Sequence, residues 1–419
     1  MTIGPIALFD KSFIQSLSAD EAVWFDHFFL SNICPIFYVE TLADLSKELK
    51  EGRTPEHLVS SIADKTPELH GSPCVHHSEL CKANLFGYDV PLTGQIPLAG
   101  GRPIKTGDHR GVVFARSPEA QAFHRWQQQR FDLVERDFAS SWRNALSQTN
   151  LRNSASRLEA LGCPSSPCKS LDVAAQLARS TVDDLESTHL KISYLAALLG
   201  LKSKQREEAL SRWRRAGCKP LRVHAPYAAH VLEVEVFFQL ALTSSLISTD
   251  RPSNKVDIAY LYYLPFSHFL VSSDKLHRSS TQAIAGTDRF VWGPDLKKDL
   301  QAINQAFQAT TAQERENGLS AIAPHPPDTG ESLVIELWDK FTPAWRRIKE
   351  FTKGMSEASS STLARRIQEL PNAPTATGHQ ADEIMRDPPS VSIERHVRAQ
   401  RGSWWQLPKS VTENKRGGS

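Results

Sequence analysis

The chain of 419 residues contains no apolar run of roughly eighteen residues, the length at which a membrane-spanning helix becomes possible. Its first residues also lack the basic segment of a secretory signal. Only six cysteines occur, and in a chain of this length without such a signal they are expected to be reduced thiols. The sequence therefore predicts a cytoplasmic protein without a membrane partner.

Three common catalytic motifs are also missing. The sequence contains no Gly-rich phosphate loop, no Gly-x-Ser-x-Gly turn and no His-Glu-x-x-His segment, which counts against nucleotide hydrolases, serine hydrolases and zincin proteases. Charge of one sign is not in excess either, since 49 Lys and Arg residues face 47 Asp and Glu residues. No global field therefore attracts nucleic acid, and any nucleic-acid surface must be a local patch.

The sequence places carboxylates at the ends of predicted strands. The apolar run Ile6–Phe9 ends at Asp10. The run Phe269–Val271 is followed closely by Asp274, and Asp257 opens a predicted helix before it. Sites in open α/β sheets form at the carboxyl ends of the strands, so these three acids are expected to converge at one edge of a parallel sheet.

A further acid is expected at the same edge. A second strand is predicted over Ile36–Val39, with Glu40 at its end. Asp44 follows four residues later, and a helix that begins near Glu40 would place both acids on one face, a turn apart. The sequence leaves open which of the two joins the other carboxylates.

Four short segments resemble the motifs of the PIN-domain family of metal-dependent nucleases, in the order that the family has. They are Asp10-Lys11-Ser12, Thr41–Leu45, Asp257-Ile258-Ala259 and Ser272-Ser273-Asp274. The chain departs from the family in two respects. Asp44 stands where the family more often has Glu, and about two hundred residues separate the second and third acids instead of a few dozen. The resemblance covers roughly residues 1–70 and 226–300.

The resemblance implies an α/β fold, a PIN-like three-layer sandwich with a parallel central sheet. A large, mainly helical insertion would interrupt this sandwich, and C-terminal helices and a flexible tail would follow it. The predicted divisions are a first core part at 1–70, the insertion at 71–225, a second core part at 226–310, a linker with a helix at 311–353 and the tail at 354–419.

Local patterns add detail to these divisions. Gly and Pro in 86–113 predict a long ordered loop. The segment 117–147 is predicted to be one long helix whose aromatic stripe packs in the core, the alternative being a base-stacking surface. Pro226–Ile247 is predicted to be a buried helix of the core. In the tail, Trp404 and Trp405 are predicted to form an anchor that docks on the body or on a protein partner.

The resemblance further implies a metal-dependent endoribonuclease that hydrolyses phosphodiester bonds with Mg²⁺ or Mn²⁺. Carboxylates suit these ions, because hard divalent cations prefer oxygen ligands and relieve the repulsion between clustered acids. The predicted catalytic residues are Asp10, Glu40, Asp44, Asp257 and Asp274. The predicted metal ligands are Asp10, Glu40, Asp257 and Asp274, with Ser12 or Ser272 to orient a carboxylate or a water. RNA is favoured over DNA, and a role as a toxin or in defence follows from the resemblance alone.

The most basic stretch of the chain, 202–222, is a candidate nucleic-acid surface. In RNA binding, Arg and Lys neutralise phosphates and a Trp such as Trp213 stacks on a base. The alternative is a solvated helix end, where the helix dipole favours cations. Lys275 and His277 are further candidates for a phosphate contact, against the alternative of a solvated helix start. The predicted nucleic-acid contacts are Arg212, Arg214, Arg215, Lys219, Arg222 and Lys275.

Two other interpretations stay open. One is an inactive PIN-like module that binds nucleic acid or a protein without cutting, which predicts no binding of Mg²⁺ or Mn²⁺. The other is an unrelated α/β enzyme with a zinc site formed by Cys74, His76, His77 and Cys81, although their spacing is not that of a standard zinc module. This last interpretation predicts that Asp10 and Asp274 lie far apart.

Overall fold

The structure of the protein is a computed structural model. It describes residues 4–47, 52, 54–106, 109–151, 154–159, 161, 163, 167–327, 332–348, 370 and 373–413. It shows an α/β fold in which many helices surround a central, five-stranded parallel sheet.

The elements follow one another along the chain in an order that mixes strands and helices. The strands are β1 (Ile6–Phe9), β2 (Leu30–Ile33), β3 (Gly71–Pro73), β4 (Gly101–Thr106), β5 (His109–Phe114), β6 (Phe269–Ser272), β7 (Phe290–Trp292), β8 (Val391–Ile393), β9 (Gln400–Arg401) and β10 (Trp404–Trp405). The α-helices are α1 (Lys11–Ser16), α2 (Ala19–Phe28), α3 (Pro35–Leu42), α4 (Pro55–Lys65), α5 (His77–Leu85), α6 (Pro118–Gln127), α7 (Leu133–Ser147), α8 (Ser154–Glu159), α9 (Leu171–Asp183), α10 (Thr188–Leu198), α11 (Ser203–Arg215), α12 (Leu221–His224), α13 (Pro226–Thr243), α14 (Asn254–Ala259), α15 (Lys275–Ala285), α16 (Gly293–Ala306), α17 (Ala312–Arg315), α18 (Leu319–Ile322), α19 (Leu333–Phe341), α20 (Trp345–Ile348), α21 (His379–Arg386) and α22 (Lys409–Glu413). Short 3-10 helices cover Ala43–Ser46, Tyr260–Phe266 and Thr287–Arg289.

The central sheet has the strand order β3-β2-β1-β6-β7, and every neighbouring pair is parallel. The chain builds the sheet outward from β1 to β3, then crosses to the other side of β1 to add β6 and β7. The winding therefore reverses between β1 and β6, where Ala7 pairs with Phe269. In open α/β sheets this reversal opens a crevice at the carboxyl ends of the two strands, and ligands bind there.

The core is formed on both faces of this sheet. In β6 all four residues are buried, as are Ala7, Leu8 and Phe9 of β1, which is typical of parallel strands covered by helices on both sides. The prediction of a buried helix after Pro226 is confirmed by α13, in which nearly every residue from Tyr227 to Leu242 is buried. The strands at the switch point are thus held rigidly from both faces.

The predicted strand over Ile36–Val39 is wrong, because helix α3 covers these residues. Cys34 has an extended backbone at the N-cap, and Pro35 follows in the first turn, where proline favours the start of a helix. The second strand is instead β2, which ends just before Cys34. Glu40 consequently lies near the end of a helix, and Asp44 lies in the 3-10 helix that follows.

Two predictions for the middle of the chain also need correction. The stretch 86–113, predicted as a loop, contains the antiparallel hairpin of β4 and β5, and β8 pairs in parallel with β5. Pro103 obscures the strand pattern of β4, and it is tolerated because β4 is an edge strand. The single helix predicted over 117–147 is divided into α6 and α7, since Gln129 has a φ of 53° and Asp132 caps a new helix.

Residues 391–407, here called the C-terminal strap, pack along the body, although composition predicts a flexible tail over 354–419. Trp404 is fully buried, its ring lies 5.0 Å from that of Trp24, and its Nε1 donates to Asn304 at 2.7 Å. These contacts offset the chain entropy that the polar composition indicates. Three arginines also bond to the core, and they are Arg395, Arg398 and Arg401. The positions 354–369, 371, 372 and 414–419 of the predicted tail lie outside the described residues.

Candidate active site at the switch point of the sheet

Asp10 lies at the carboxyl end of β1 and caps helix α1. Its carboxylate accepts hydrogen bonds from the Phe13 N–H at 2.9 Å, from Ser12 Oγ at 2.6 Å and from Ser272 Oγ at 2.9 Å. His277 Nδ1 lies 3.5 Å from the same carboxylate. Burial raises the pKa of Asp10, but the bonds and charge from these partners outweigh it and hold the pKa below its ordinary value. Asp10 is thus a fixed anion at the switch point.

Asp274 is joined to Asp10 through the end of β6. Because Phe9 pairs with Val271, the residues that follow these two lie side by side at the sheet edge. The Asp274 N–H donates to Ser272 Oγ at 2.9 Å, and that hydroxyl donates to Asp10. The Asp274 carboxylate caps helix α15 by accepting from the Leu276 N–H at 2.5 Å. The predicted convergence of the two strand-end acids is therefore present.

His277, buried beneath these two acids, supplies a positive charge. Its Nε2 donates to the backbone carbonyl of Asp257 at 2.8 Å, and its Nδ1 lies 2.8 Å from Ser272 Oγ. Since the Ser272 hydroxyl proton goes to Asp10, a second ring proton on His277 satisfies every group in this network. Burial lowers the pKa of His277, but Asp10 and Asp257 outweigh it and raise the pKa to about 9. Being buried, His277 does not reach a substrate phosphate.

Asp257, on α14, shares this environment without being neutralised. Burial raises its pKa to about 7, with His277 opposing and the charges of Glu40, Asp274 and Asp10 adding to the rise. Within the described part of the chain, no group donates a hydrogen bond to its carboxylate. Asp257 is therefore the acid of the cluster that most lacks a cation.

Glu40, and not Asp44, faces the other acids. Tyr260 donates from its hydroxyl to Glu40 at 2.7 Å, and its ring lies 5.2 Å from that of His277. The Lys11 ammonium lies 3.4 Å from Glu40 and 3.1 Å from Asp44. Asp44 is buried and is also paired with Lys47 at 2.5 Å. It is thus neutralised by two lysines, whereas Glu40 adds to the negative potential at Asp257.

A charge count shows what the cluster lacks. When Asp257 is ionised, the cations of the cluster are fewer than its carboxylates by two, a deficit that one divalent cation would offset. The five carboxylates are Asp10, Glu40, Asp44, Asp257 and Asp274, and the three cations are Lys11, Lys47 and His277. The donor type and the charge fit Mg²⁺ or Mn²⁺. The geometry is not preformed, because no three His, Cys, Asp or Glu side chains of the described ranges stand close enough to hold an ion.

The basic stretch is mostly engaged with the protein itself. Trp213 is buried and donates from Nε1 to the Lys219 carbonyl at 2.7 Å, so its ring is not presented for stacking. Arg222 bonds to Asp183 and Glu233, both at short distances of 2.7 and 2.8 Å. Arg215 bonds to Glu208, and the side chain of Arg212 lies against Gly87. Arg214 and Lys219 are exposed, as is Lys275 next to Asp274.

The residues of the zinc interpretation do not assemble. Cys74 and Cys81 are buried, and burial raises the pKa of both thiols, which disfavours the thiolates that zinc needs. The His76 and His77 rings lie 4.3 Å apart, and His77 Nδ1 lies 3.2 Å from Tyr263 Oη. The link between Asp10 and Asp274 through a single serine also opposes that interpretation.

Sequence reasoning missed part of this site. The sequence predicts that Ser12 or Ser272 orients a carboxylate or a water, and in the structure both donate to Asp10. Lys11 and His277 were not expected to neutralise the acids. The only signal in the sequence was that Lys11 directly follows Asp10 and that His277 lies three residues after Asp274.

In comparisons with known proteins, no family model, no curated protein and no solved structure matches the chain. Within the described ranges, none of the helices combines the length and the apolar character needed to cross a membrane. Fold and site together define an α/β protein with a buried acidic cluster at the topological switch point of its sheet.

Proposed function

We propose that this chain is a PIN-like, metal-dependent endoribonuclease whose site is the cluster of Asp10, Glu40, Asp257 and Asp274. The observation that supports the proposal most strongly is the surplus of negative charge at the switch point. Proteins rarely bury unpaired carboxylates, and shifted pKa values in a cleft are typical of functional sites. A PIN-like three-layer sandwich, the finer form of the α/β fold, belongs to the same proposal.

The side chains of the cluster would have different roles, which depend on how exposed each one is. Asp257, Asp274 and Glu40 are partly exposed and would hold a divalent cation together with Asp10. That cation would activate a water molecule and stabilise the charge that develops on a phosphodiester. Asp10 is kept ionised and fixed in direction by Ser12, Ser272 and His277. The exposed Lys275 follows Asp274 and would contact a phosphate of RNA, the proposed substrate.

A second candidate function rests on a different observation. The Asp10 carboxylate already has four protein partners, and the ammonium of Lys11 stands beside Glu40. A cluster that supplies its own cations fits an inactive PIN-like module, which binds nucleic acid or a protein without cutting. In that case solvent would screen the surplus negative charge, and neither Mg²⁺ nor Mn²⁺ would bind.

The experiment that decides between them is a cleavage assay on labelled single-stranded RNA and DNA with Mn²⁺, Mg²⁺ or EDTA. The wild type is compared with Asp257→Asn/Asp274→Asn and with Asp137→Asn, a control on the exposed face of α7. We expect metal-dependent cleavage of RNA that falls roughly a hundredfold or more in the double variant and is unchanged in the control. Cleavage that survives in the double variant, or no cleavage by any form, would contradict the proposed activity.

A further inference from the structure

A cavity of about 690 Å³ runs alongside β3, the edge strand of the central sheet, and reaches the carboxyl ends of β2 and β3, the edge at which the acidic cluster lies. Ile33 and Pro73, the last residues of these strands, line it, and residues 393–396 of the C-terminal strap form one wall. Its volume is typical of small-molecule sites. Neighbouring strands are about 4.8 Å apart, so the cavity begins one to two strand spacings from Asp10. A separation of this size is compatible with the distance between the base and the phosphate of a single nucleotide.

The walls of the cavity are rich in aromatic rings. Tyr38, Phe123 and Phe138 line it. The Tyr38 ring packs edge-on against Phe123, with centroids 5.7 Å apart, and is stacked from behind on Trp126 at 4.8 Å. Trp126 is fully buried, so this aromatic wall is rigid. Flat aromatic walls favour a planar π system as the ligand.

Two residues of α6 that line the cavity have buried polar atoms without partners in the described structure, His124 Nδ1 and Gln127 Oε1. Gln127 Nε2 donates to Glu68 at 2.8 Å, which fixes Oε1 as the free acceptor. Gln128 Nε2 lies 3.1 Å from His124 Nε2, so a neutral His124 carries its proton on Nδ1, a free donor. One donor and one acceptor are the two kinds of group that hydrogen-bond to the edge of a nucleobase.

The cationic groups of the cavity do not favour a phosphate. Arg116 pairs with Glu394 at 3.1 Å, and Arg395 bonds to Ser72 Oγ at 2.9 Å as well as to the Gly71 carbonyl. Both guanidinium groups are thus already engaged with the protein. The lining offers aromatic surface for stacking and polar groups for hydrogen bonds, and neither guanidinium group is without a protein partner.

We propose that this cavity binds a nucleobase, the base of a nucleotide next to the phosphate held at the acidic cluster. The assignment of that phosphate rests on the proposed function, whereas the affinity of the cavity for a base does not. Entry of a base would shift His396 of the strap, whose ring lies 3.8 Å from the His124 ring. The base would then replace His396 against the His124 ring.

The test is calorimetric titration of the full chain in EDTA with AMP, GMP, CMP and UMP, and with ribose 5-phosphate as the ligand without a base. Ala120→Trp fills the cavity and Phe138→Ala removes part of its wall. Val134→Ala is the matched control, on the same helix as Phe138 but 70% exposed and outside the lining. Melting curves check that each variant is folded.

We expect at least one mononucleotide to bind while ribose 5-phosphate does not. Affinity should fall about tenfold in Ala120→Trp and in Phe138→Ala, and should be unchanged in Val134→Ala. Binding that is equal in all variants, binding of ribose 5-phosphate, or no binding of any mononucleotide would overturn the proposal. Because the titration is made in EDTA and does not involve the metal, a failure of the cleavage assay and a failure of this cavity are distinguished.

Discussion

Two buried groups of charges in this molecule differ in whether the protein satisfies them. Asp26 is fully buried on α2 and accepts the backbone N–H groups of Glu68, Leu69 and His70 at 2.7 to 3.0 Å. Arg401 of the C-terminal strap lies 3.5 Å from the same carboxylate. Every oxygen of Asp26 thus has partners, and the group, here called the Asp26 cluster, holds a loop and the strap to α2.

The acidic cluster at the switch point is built differently. The Asp10 carboxylate has as many protein partners as it can use, as the Asp26 carboxylate does. The Asp257 carboxylate does not, although it lies close enough to Asp10 to be influenced by its charge. A satisfied buried carboxylate stabilises the fold, whereas an unsatisfied one costs stability and is retained when a ligand supplies the missing charge. Substitutions should therefore have opposite effects on stability in the two clusters.

The largest effect is expected from Asp26→Ala. The change leaves three backbone N–H groups and the buried Arg401 without their acceptor, and we expect a loss of about 3–5 kcal/mol in the free energy of unfolding. Urea denaturation followed by circular dichroism measures it. Asp137→Ala, at an exposed position of α7, is the control and should change stability by less than about 0.5 kcal/mol. Equal losses of stability in Asp26→Ala and Asp137→Ala would contradict a stabilising role for the Asp26 carboxylate.

The Asp26 cluster should also weaken in acid. His27 follows Asp26 on α2 and donates from Nε2 to the Ala323 carbonyl at 2.6 Å. Desolvation of its ring lowers its pKa to about 4. An unfolded histidine titrates near 6.5, so the unfolded chain binds the proton first as the pH falls. Stability should fall by up to about 3 kcal/mol between pH 6.5 and 4. His27→Gln should reduce this slope in denaturation curves at each pH, and an unchanged slope would contradict the assignment.

The switch-point cluster should show the opposite pH dependence. The pKa of His277 is raised to about 9, so its stabilising effect is complete below pH 6.5 and is lost as the pH rises through 9. Metal-free protein should therefore lose roughly 2 kcal/mol on this alkaline side. In His277→Gln, denaturation curves between pH 6.5 and 9.5 should show a smaller loss, which comes from the ionisation of Asp257. If His277→Gln loses as much stability at alkaline pH as the wild type, His277 is not the source of this pH dependence.

A smaller gain is expected from Asp257→Asn in EDTA at pH 8. The substitution removes a desolvated carboxylate that other anions repel, so the variant should be about 1 kcal/mol more stable than the wild type. Thermal and urea denaturation measure it, beside Asp137→Asn. A loss of stability in Asp257→Asn would mean that this carboxylate has a structural partner, as Asp26 has.

The part of the site that lies on strands was predictable from sequence. Asp10 and Asp274 each follow a short apolar run, and the ends of adjacent parallel strands necessarily meet at one edge. Glu40 was assigned to the right edge for the wrong reason, because Pro35 starts a helix where a strand was predicted. Apolar runs of this length do not distinguish a buried helix turn from a strand.

The C-terminal strap was not predictable from local pattern. Its arginines pair with groups more than three hundred positions away, as Arg398 does with Asp64 and Glu68. A polar segment with few apolar residues has the composition of a flexible tail, and only tertiary partners decide otherwise. The same limit applies to Lys11 and His277, whose charges are explained only by the acids that the fold brings to them.

The central claim is that the switch-point cluster lacks one divalent cation, and titration calorimetry with Mg²⁺ and Mn²⁺ tests it most directly. The wild type, Asp257→Asn and the control Asp137→Asn are titrated side by side, with melting temperatures measured at saturating metal. We expect one ion to bind the wild type and the control and to raise their melting temperatures, and binding to be lost in Asp257→Asn. Absence of binding to the wild type, or equal binding to all three proteins, would contradict the account.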